Sequence, residues 1–278
     1  AILVRMPQFH ALIFMSQAGE KSFYATVPLT ENTRTIVKKK AIQIYPLVEQ
    51  EAGTIKDFSS DRPLKLLFAG MFYIKGGLEL CHAFESLRKT YTNLELTIIA
   101  PLQTIKESDR QYISGITGLT LLDTTLDEAA MKKMYATHDI FMLPTYRDGF
   151  GLVLVEAIAY GMPLICTDQY ATTEVVTHEY NGFVYPNHPL KDYDPLTFKL
   201  LGKYYNPKDF YTDLFRLQQS GALKPVEDFI ISSIRRYLDT PSLLKEHSQN
   251  SLNLYKKQFD AHKISHQIES VFLNAIEK

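Results

Sequence analysis

The sequence predicts an α/β fold in which a doubly wound parallel sheet is covered by crossover helices, with further helices added at the C-terminal end. Two observations predict it. Between residues 64 and 186, short continuous apolar runs alternate with longer segments of helical period, and the runs are bounded by Gly, Pro, Thr or Asp. Continuous apolar runs are typical of strands that are buried on both faces of a parallel sheet.

Six runs predict the strands, and the segments between them predict the helices. The strand runs are LKLLFAG (64–70), LELTIIA (94–100), LTLLD (119–123), IFMLPT (140–145), PLICTD (163–168) and GFVYP (182–186). The helical segments are GGLELCHAFESLRKTY, a polar stretch near 104–116, DEAAMKKMYATHD, GLVLVEAIAY and TTEVVTH. Six strands with five crossovers make one doubly wound unit.

The flanking regions have a different character. Residues 1–60 contain two strand signals, ALIFM and AIQIYP, and the polar SSDRP connects them to the first regular strand. A Tyr-rich, punctuated segment follows residue 187, and two helical segments follow at roughly 225–239 and 241–277. Residues 1–60 are too few to form a second complete unit of the same kind.

Composition excludes several classes of protein. The chain has 278 residues, 45% hydrophobic and 22% charged, with a formal net charge of −1, as in an ordinary globular protein. The longest basic run, 38–40, predicts an exposed connection and not a nucleic-acid site. The most apolar window contains Glu, Pro and three Gly, so we expect no transmembrane segment. Cys81 and Cys166 have no CxxC partner and are expected as reduced core residues of a cytoplasmic protein.

The ends of the predicted strands carry the candidate site, because ligands of open parallel sheets bind beyond the carboxyl ends of the strands. After the first strand, Lys75 precedes Gly76 and Gly77, which open a helix. The helix dipole, backbone N–H groups and the ammonium charge favour a phosphate there. The alternative is a solvated lysine in a glycine turn.

The stretch RDGFGLVLVEAIAYGMP follows the fourth strand. Asp148 is expected to cap the next helix, and Gly149 and Gly151 let the backbone approach a ligand. GFGLVL is not a dinucleotide fingerprint, because Leu154 occupies the position of the third glycine.

Glu156 is a lone carboxylate in a helix that is apolar on every face, and an unpaired buried charge is costly. Side chains lean towards the helix N-terminus, so Glu156 is expected to face the ligand edge and accept two hydroxyl donors, as from a ribose diol. The alternative is a buried Glu that accepts backbone N–H groups of a neighbouring loop.

Two further signals are weaker. Glu174 is expected in the first turn of a short helix, where its negative charge is favourable to the helix dipole. A role in ligand binding is an equally good interpretation. His262 and His266 are four residues apart without a third ligand, so we interpret them as a surface coincidence and predict no metal site.

Taken together, DGFGLVLVEAIAYGMP resembles the signature of the C-terminal domain of family 4 retaining GT-B glycosyltransferases, an acid and a Glu separated by seven residues. LLFAGMFYIKGGLELCHAF and MKKMYATHDIFMLPTYRDG are similar to segments upstream of that signature, and EVVTHEYNGFVYP and QFDAHKISHQIESVFLNAI to segments downstream. The resemblance covers residues 64–186 and about 255–274.

The resemblance implies a Rossmann-like domain that binds a nucleotide-diphosphate sugar and transfers the glycosyl group with retention, without an obligatory cofactor or metal. It implies that Glu156 binds the ribose, Asp148 reaches the donor sugar and Lys75 neutralises the leaving diphosphate. The donor-binding set that it implies is Gly70, Lys75, Gly149, Phe150, Gly151, Leu152 and Glu156.

The resemblance also implies a domain organisation. We expect residues 1–60 to be a remnant of an N-terminal domain with its linker, 61–186 the donor-binding domain, 187–240 a variable helical insertion and 241–278 helices that pack back towards the N-terminal side. The expected partners are a glycan or lipid-linked acceptor and a missing N-terminal domain or partner chain. The start AILVRMPQFHALIF lacks an initiator Met and predicts a cut into a longer protein, although processing would give the same start. The resemblance implies that such a fragment is inactive when isolated. The protein is expected in the cytoplasm, and peripheral to a membrane through the missing part.

The sequence departs from the family pattern in three places. Met71 stands where the family has Arg, Asp148 replaces the usual Glu, and APLQT replaces a glycine-rich turn after the second strand. Met71 and the shorter acid keep open the alternative of a non-catalytic nucleotide-sugar-binding or regulatory subunit. A third alternative is a GT-B nucleotide-sugar epimerase, which the acid pair fits less well than it fits a transferase. The resemblance alone implies the product, which would be a glycan of the surface-polysaccharide type.

Overall fold

The computed structural model describes residues 6, 8–49, 53, 56, 58, 62–186 and 188–276. Its main sheet has six parallel strands: β3 (Leu64–Ala69), β4 (Leu94–Ile99), β5 (Leu119–Leu122), β6 (Ile140–Leu143), β7 (Leu164–Thr167) and β8 (Gly182–Tyr185). Their order across the sheet is β5-β4-β3-β6-β7-β8. The strand order reverses between β3 and β6, which confirms the predicted doubly wound sheet.

Helices cover both faces of this sheet. They are α3 (Gly77–Arg88), α4 (Glu107–Ser114), α5 (Glu128–Thr137), α6 (Leu152–Ala159), α7 (Pro207–Gln219), α8 (Lys224–Asp239), α9 (Pro241–Leu254) and α10 (Ala261–Ile276). Successive strand side chains point to opposite faces, so Leu66 and Phe68 pack with α3, α4, α7 and α8. Leu67 and Ala69 pack with α5, α6 and the end of α9. The region expected as an insertion, 187–240, therefore contributes two helices to the core.

Helix α6 is enclosed between the sheet and the C-terminal helices. It contacts β6, β7 and α9, and five of its eight residues are buried. This position explains why the stretch is apolar on every face.

Residues 8–49 form a smaller unit beside the main sheet. Strands β1 (Leu12–Phe14) and β2 (Ala41–Gln43) are parallel, and two helices connect them, α1 (Gln17–Thr26) and α2 (Glu31–Lys40). The two predicted strands are confirmed, whereas the two helices were not predicted. Most of the expected linker, including Ser59, Ser60 and Asp61 of SSDRP, lies outside the described residues.

Two predicted helices are wrong in detail. TTEVVTH forms only a three-residue 3₁₀ turn, Thr172–Glu174, because the chain enters β8 eight residues later. The segment expected as one helix over 241–277 is divided into α9 and α10 by a π-helical turn, Tyr255–Phe259, and by the extended Asp260. The break lets Phe259 turn into the core, where it is fully buried.

Cys81 on α3 and Cys166 on β7 are both buried and unpaired, as predicted. Within the described part of the chain, no helix combines the length and the apolar character that a membrane crossing requires.

Candidate functional site

Lys75 and Asp148 meet where the strand order reverses. Lys75 follows β3, Asp148 follows β6, and Lys75 Nζ lies 2.5 Å from Asp148 Oδ2 and 3.0 Å from the carbonyl oxygen of Arg147. The lysine side chain is 19% exposed and the aspartate side chain 12%. This partly desolvated pair contradicts the alternative of a solvated lysine in a glycine turn.

The turn that carries Lys75 depends on one glycine. Gly76 has φ +76°, and a Cβ at this position would lie 2.3 Å from the carbonyl oxygen of Pro144, which belongs to the loop after β6. Only a residue without a side chain permits this close approach. The turn after β3 is thereby pressed against the loop after β6, which brings Lys75 to Asp148.

The start of α6 differs from the prediction that Asp148 caps it. The N-cap is Gly151 in the left-handed conformation (φ +80°), and no side chain of the described residues caps the helix. Asp148 Oδ1 instead accepts the N–H of Phe150 at 3.1 Å. Asp148 is three residues upstream of the cap, so it cannot reach the first-turn N–H groups and tightens the preceding turn. Of the first-turn N–H groups, that of Leu154 donates to the carbonyl oxygen of Gly151 at 2.8 Å, so those of Leu152 and Val153 are left for another acceptor.

A cavity of about 660 Å³ lies above these residues, between the main sheet and the N-terminal unit. Seven of the eight predicted site residues line it, namely Gly70, Lys75, Asp148, Gly149, Phe150, Gly151 and Leu152. Lys75 is the only cationic side chain among the described lining residues. The arrangement combines one ammonium group, an uncapped helix N-terminus and a carboxylate, and can hold a polar molecule that carries an anionic group.

Phe150 and Leu152 contribute differently from one another. The Phe150 ring is buried and packs against Tyr45 and Phe259, with centroids 5.8 and 6.3 Å apart. Only the backbone of Phe150 is therefore available to a ligand. The Leu152 side chain is 47% exposed and supplies apolar surface.

Glu156, the eighth predicted residue, does not line this cavity. It is partly buried, and its Oε2 accepts a hydrogen bond from the hydroxyl of Tyr135 on α5 at 2.5 Å. Burial and the adjacent carboxylate raise the pKa of Tyr135 far above its usual range, so the phenol is a donor to Glu156. The lone carboxylate thus has a structural partner, a hydroxyl group and not the backbone N–H groups of a loop.

Glu174 has a role that its sequence position did not indicate. Its two carboxylate oxygens accept the N–H groups of Gln17 (2.9 Å) and Ala18 (2.8 Å) at the N-terminus of α1. It therefore caps a helix of the N-terminal unit, and not the helix expected around residue 174.

The N-terminal unit supplies cavity residues that sequence reasoning missed. Ser16 and Pro46 line the cavity, and each lies just beyond β1 or β2. The rule that ligands bind beyond strand ends, applied to the run ALIFM as well, would have found Ser16. Tyr170, which follows β7, also lines the cavity, and the same rule applied to the run PLICTD would have found it.

His262 and His266 lie on exposed positions of α10. Across the described residues, no group of three or more His, Cys, Asp or Glu side chains is placed to hold a metal ion.

Comparison with known proteins identifies relatives of the main sheet. Residues 63–194 match the family described as glycosyl transferases group 1. The chain is 30% identical over 113 residues to the capsular polysaccharide biosynthesis glycosyltransferase CapM of Staphylococcus aureus, which is 40% of this chain and 29% of CapM. It is 24% identical over 187 residues to the N,N'-diacetylbacillosaminyl-diphospho-undecaprenol alpha-1,3-N-acetylgalactosaminyltransferase of Campylobacter jejuni, covering 62% and 46%. The chain spans less than half the length of these curated relatives.

Solved structures show the same fold. Sucrose-phosphate synthase of Thermosynechococcus elongatus superposes with a TM-score of 0.65 at 17% identity, over 96% of this chain and 58% of that one. HepE of Anabaena, solved in complex with UDP-glucose, superposes with a TM-score of 0.62 at 15% identity, over 95% and 64%.

Proposed function

Because residues 63–194 match the glycosyl transferases group 1 family and form a GT-B C-terminal domain, we propose that this chain binds the nucleotide-diphosphate sugar of a retaining glycosyltransferase. The observation that carries the proposal is the Lys75–Asp148 pair beside the uncapped N-terminus of α6. In this proposal Lys75 and the first-turn N–H groups of α6 bind the diphosphate, because both favour negative charge.

The roles of the other residues follow from their places around that diphosphate. Gly149 has no atom within 4 Å of a Cβ built on it, so the backbone there is open to a ligand, and Asp148 lies beside it facing the donor sugar. Glu156, on the side of α6 that faces α5, binds the ribose hydroxyls in addition to the Tyr135 hydroxyl. Departure of the nucleoside diphosphate is then stabilised electrostatically by Lys75 and the helix dipole.

The proposal also includes an acceptor and a biological product. We propose a glycan or lipid-linked acceptor in polysaccharide biosynthesis, which is supported by the printed names of CapM and of the Campylobacter jejuni relative. Retention at the anomeric carbon and independence from a metal are proposed from the resemblance of residues 148–163 to the signature of the retaining family. Transfer would need the parts that the longer relatives have in addition.

A second candidate is a nucleotide-sugar-binding subunit without transfer activity. Met71 favours it, because this residue is 37% exposed beside the cavity turn and leaves Lys75 as the one described cationic lining residue. The two candidates share the donor site and differ only in whether the full-length protein turns the donor over.

Donor binding is tested first by thermal shift with UDP, GDP, ADP, CMP and dTDP. A ligand at about a hundred times its dissociation constant should add roughly 2.7 kcal/mol of stability, or several degrees. Lys75→Met keeps the aliphatic stem and removes the charge, and should weaken the binding by roughly tenfold or more. Lys245→Met, on an exposed position of α9, is the matched control and should leave binding unchanged.

No shift with any of the five nucleotides would contradict donor binding by this chain. A shift that Lys75→Met leaves unchanged would contradict the phosphate role of Lys75 alone.

A further inference from the structure

Tyr170 stands out among the cavity residues because its backbone is in the left-handed region, with φ +54°. This conformation is unfavourable for a bulky residue and persists only when the surroundings enforce it. Among the described lining residues outside the N-terminal unit, Phe150 and Tyr170 are the aromatic ones, and Phe150 is buried whereas Tyr170 is partly exposed. The strain therefore lies in a partly exposed aromatic residue of the cavity wall.

The enforcing contacts come from the segment after β8. The hydroxyl of the buried Tyr193 accepts the N–H of Tyr170 at 2.8 Å and lies 3.4 Å from the carbonyl oxygen of Asp168. The Tyr170 ring makes edge contacts with the rings of Tyr193 and Phe198, with centroids 5.5 and 6.0 Å apart, and those two rings are stacked. Backbone and ring of Tyr170 are both fixed.

The same segment extends to the other wall of the cavity. Lys21 of α1 lies over the Phe198 ring, 5.4 Å from its centroid, and the N–H of Leu200 is 3.0 Å from the hydroxyl oxygen of Thr26. The aromatic cluster of Tyr170, Tyr193 and Phe198 is thus attached to both units that enclose the cavity. Contacts with both units therefore fix the position of this aromatic cluster relative to Asp148.

The place of Tyr170 in the sheet identifies which part of a donor it would meet. Helix α5 contacts β3, and Glu156 faces α5 through Tyr135. Tyr170 follows β7, which is separated from β3 by β6 in the strand order. A donor whose diphosphate lies at the start of α6 and whose ribose lies towards Glu156 extends its sugar towards Tyr170.

We propose that the sugar of the donor packs against the Tyr170 ring, so that Tyr170 determines which sugar is bound, and that Tyr193 and Phe198 are positioning residues for this ring. The inference rests on the proposed function and adds to it the residue that recognises the donor sugar. Small-molecule pockets are lined mainly by hydrophobic and aromatic side chains, so a fixed aromatic ring supplies the kind of surface against which a sugar packs.

The test compares dissociation constants of a nucleoside diphosphate and of its sugar derivatives. The probes are UDP with UDP-glucose, UDP-galactose and UDP-N-acetylglucosamine, GDP with GDP-mannose, and ADP with ADP-glucose. Tyr170→Gly removes the ring and adopts the left-handed backbone without strain. It should leave binding of the diphosphate unchanged and weaken the preferred nucleotide sugar about tenfold. Tyr170→Phe retains the ring and should resemble the unmodified protein.

Phe198→Leu tests the positioning role and should lower the discrimination between sugars with no effect on the diphosphate. An equal effect of Tyr170→Gly on diphosphate and nucleotide sugar, or no effect on either, overturns this inference and leaves the proposed function in place. Failure of the unmodified protein to bind any of the three diphosphates overturns both.

Discussion

Lys75 Nζ lies 2.5 Å from Asp148 Oδ2, across the point where the strand order of the sheet reverses. The two residues are 73 positions apart in the chain, and both were predicted as site residues from separate strand ends. A diphosphate that binds Lys75 has to compete with this carboxylate.

We therefore expect Asp148→Asn to tighten nucleoside diphosphate binding, by roughly fivefold to tenfold, because the competing charge is removed. Titration calorimetry measures the change. In the full-length protein the same substitution should abolish transfer, since Asp148 is proposed to reach the donor sugar. Asp228→Asn is the control, because Asp228 forms a similar pair with Lys224 at 3.1 Å on α8. Weaker binding in Asp148→Asn would mean that Asp148 positions Lys75 and does not compete for it.

If Glu156 binds the ribose hydroxyls, the protein should distinguish nucleotides that carry these hydroxyls from nucleotides that lack them, and a variant without the carboxylate should lose this preference. The protein should bind a ribonucleoside diphosphate roughly tenfold or more tightly than its 2′,3′-dideoxy analogue, as expected for two hydrogen bonds to a charged group. Glu156→Ala should remove this difference. Tyr135→Phe, which removes only the hydroxyl partner of Glu156, should retain it. If Glu156→Ala still prefers the ribonucleotide, the carboxylate serves Tyr135 and the packing of α5 against α6.

Glu174 is expected to stabilise the attachment of the N-terminal unit. Glu174→Ala leaves the N–H groups of Gln17 and Ala18 without their acceptor, and should lower the free energy of unfolding by about 1–3 kcal/mol. Urea denaturation measures the loss, and hydrogen exchange should be faster at these two amides. Glu31→Ala, at an exposed first-turn position of α2, should cost less than about 0.5 kcal/mol. Equal costs for the two variants would show that the Glu174 contact contributes nothing specific.

Glu79 predicts a pH dependence of stability. Burial on α3 raises the pKa of its carboxyl from 4.5 to about 7, against the opposing hydrogen bond from Gln218. The folded state then holds a proton that the unfolded state releases between these values. Stability therefore falls as pH rises from about 4.5 to about 7, by on the order of 3 kcal/mol, and is level above that.

Glu79→Gln resembles the protonated form and should remove this loss. Measured by urea denaturation, the variant should gain stability relative to the unmodified protein between pH 4 and pH 8. A constant difference between the two proteins over that range would show that Glu79 keeps an ordinary pKa when folded.

The sequence by itself determined the parallel sheet and seven of the sixteen described residues that line the cavity. Buried strands have to be continuously apolar, so the runs from Leu64 to Tyr185 are visible without a structure. Parallel strands place their carboxyl ends together, so Lys75 and Asp148 could be selected from residues that follow strands. The ribose, sugar and diphosphate roles themselves remain predictions.

The tertiary structure decided what depends on contacts between distant segments. Glu174 caps a helix more than 150 positions away, and the left-handed Tyr170 is held by Tyr193 and Phe198 from the next connection. Local propensity contains no information about such partners, because a carboxylate or a ring fits many environments equally well. The same holds for Glu156. The sequence showed that a carboxylate in an apolar helix needs a partner, and the packing of α5 against α6 identified this partner as the hydroxyl of Tyr135.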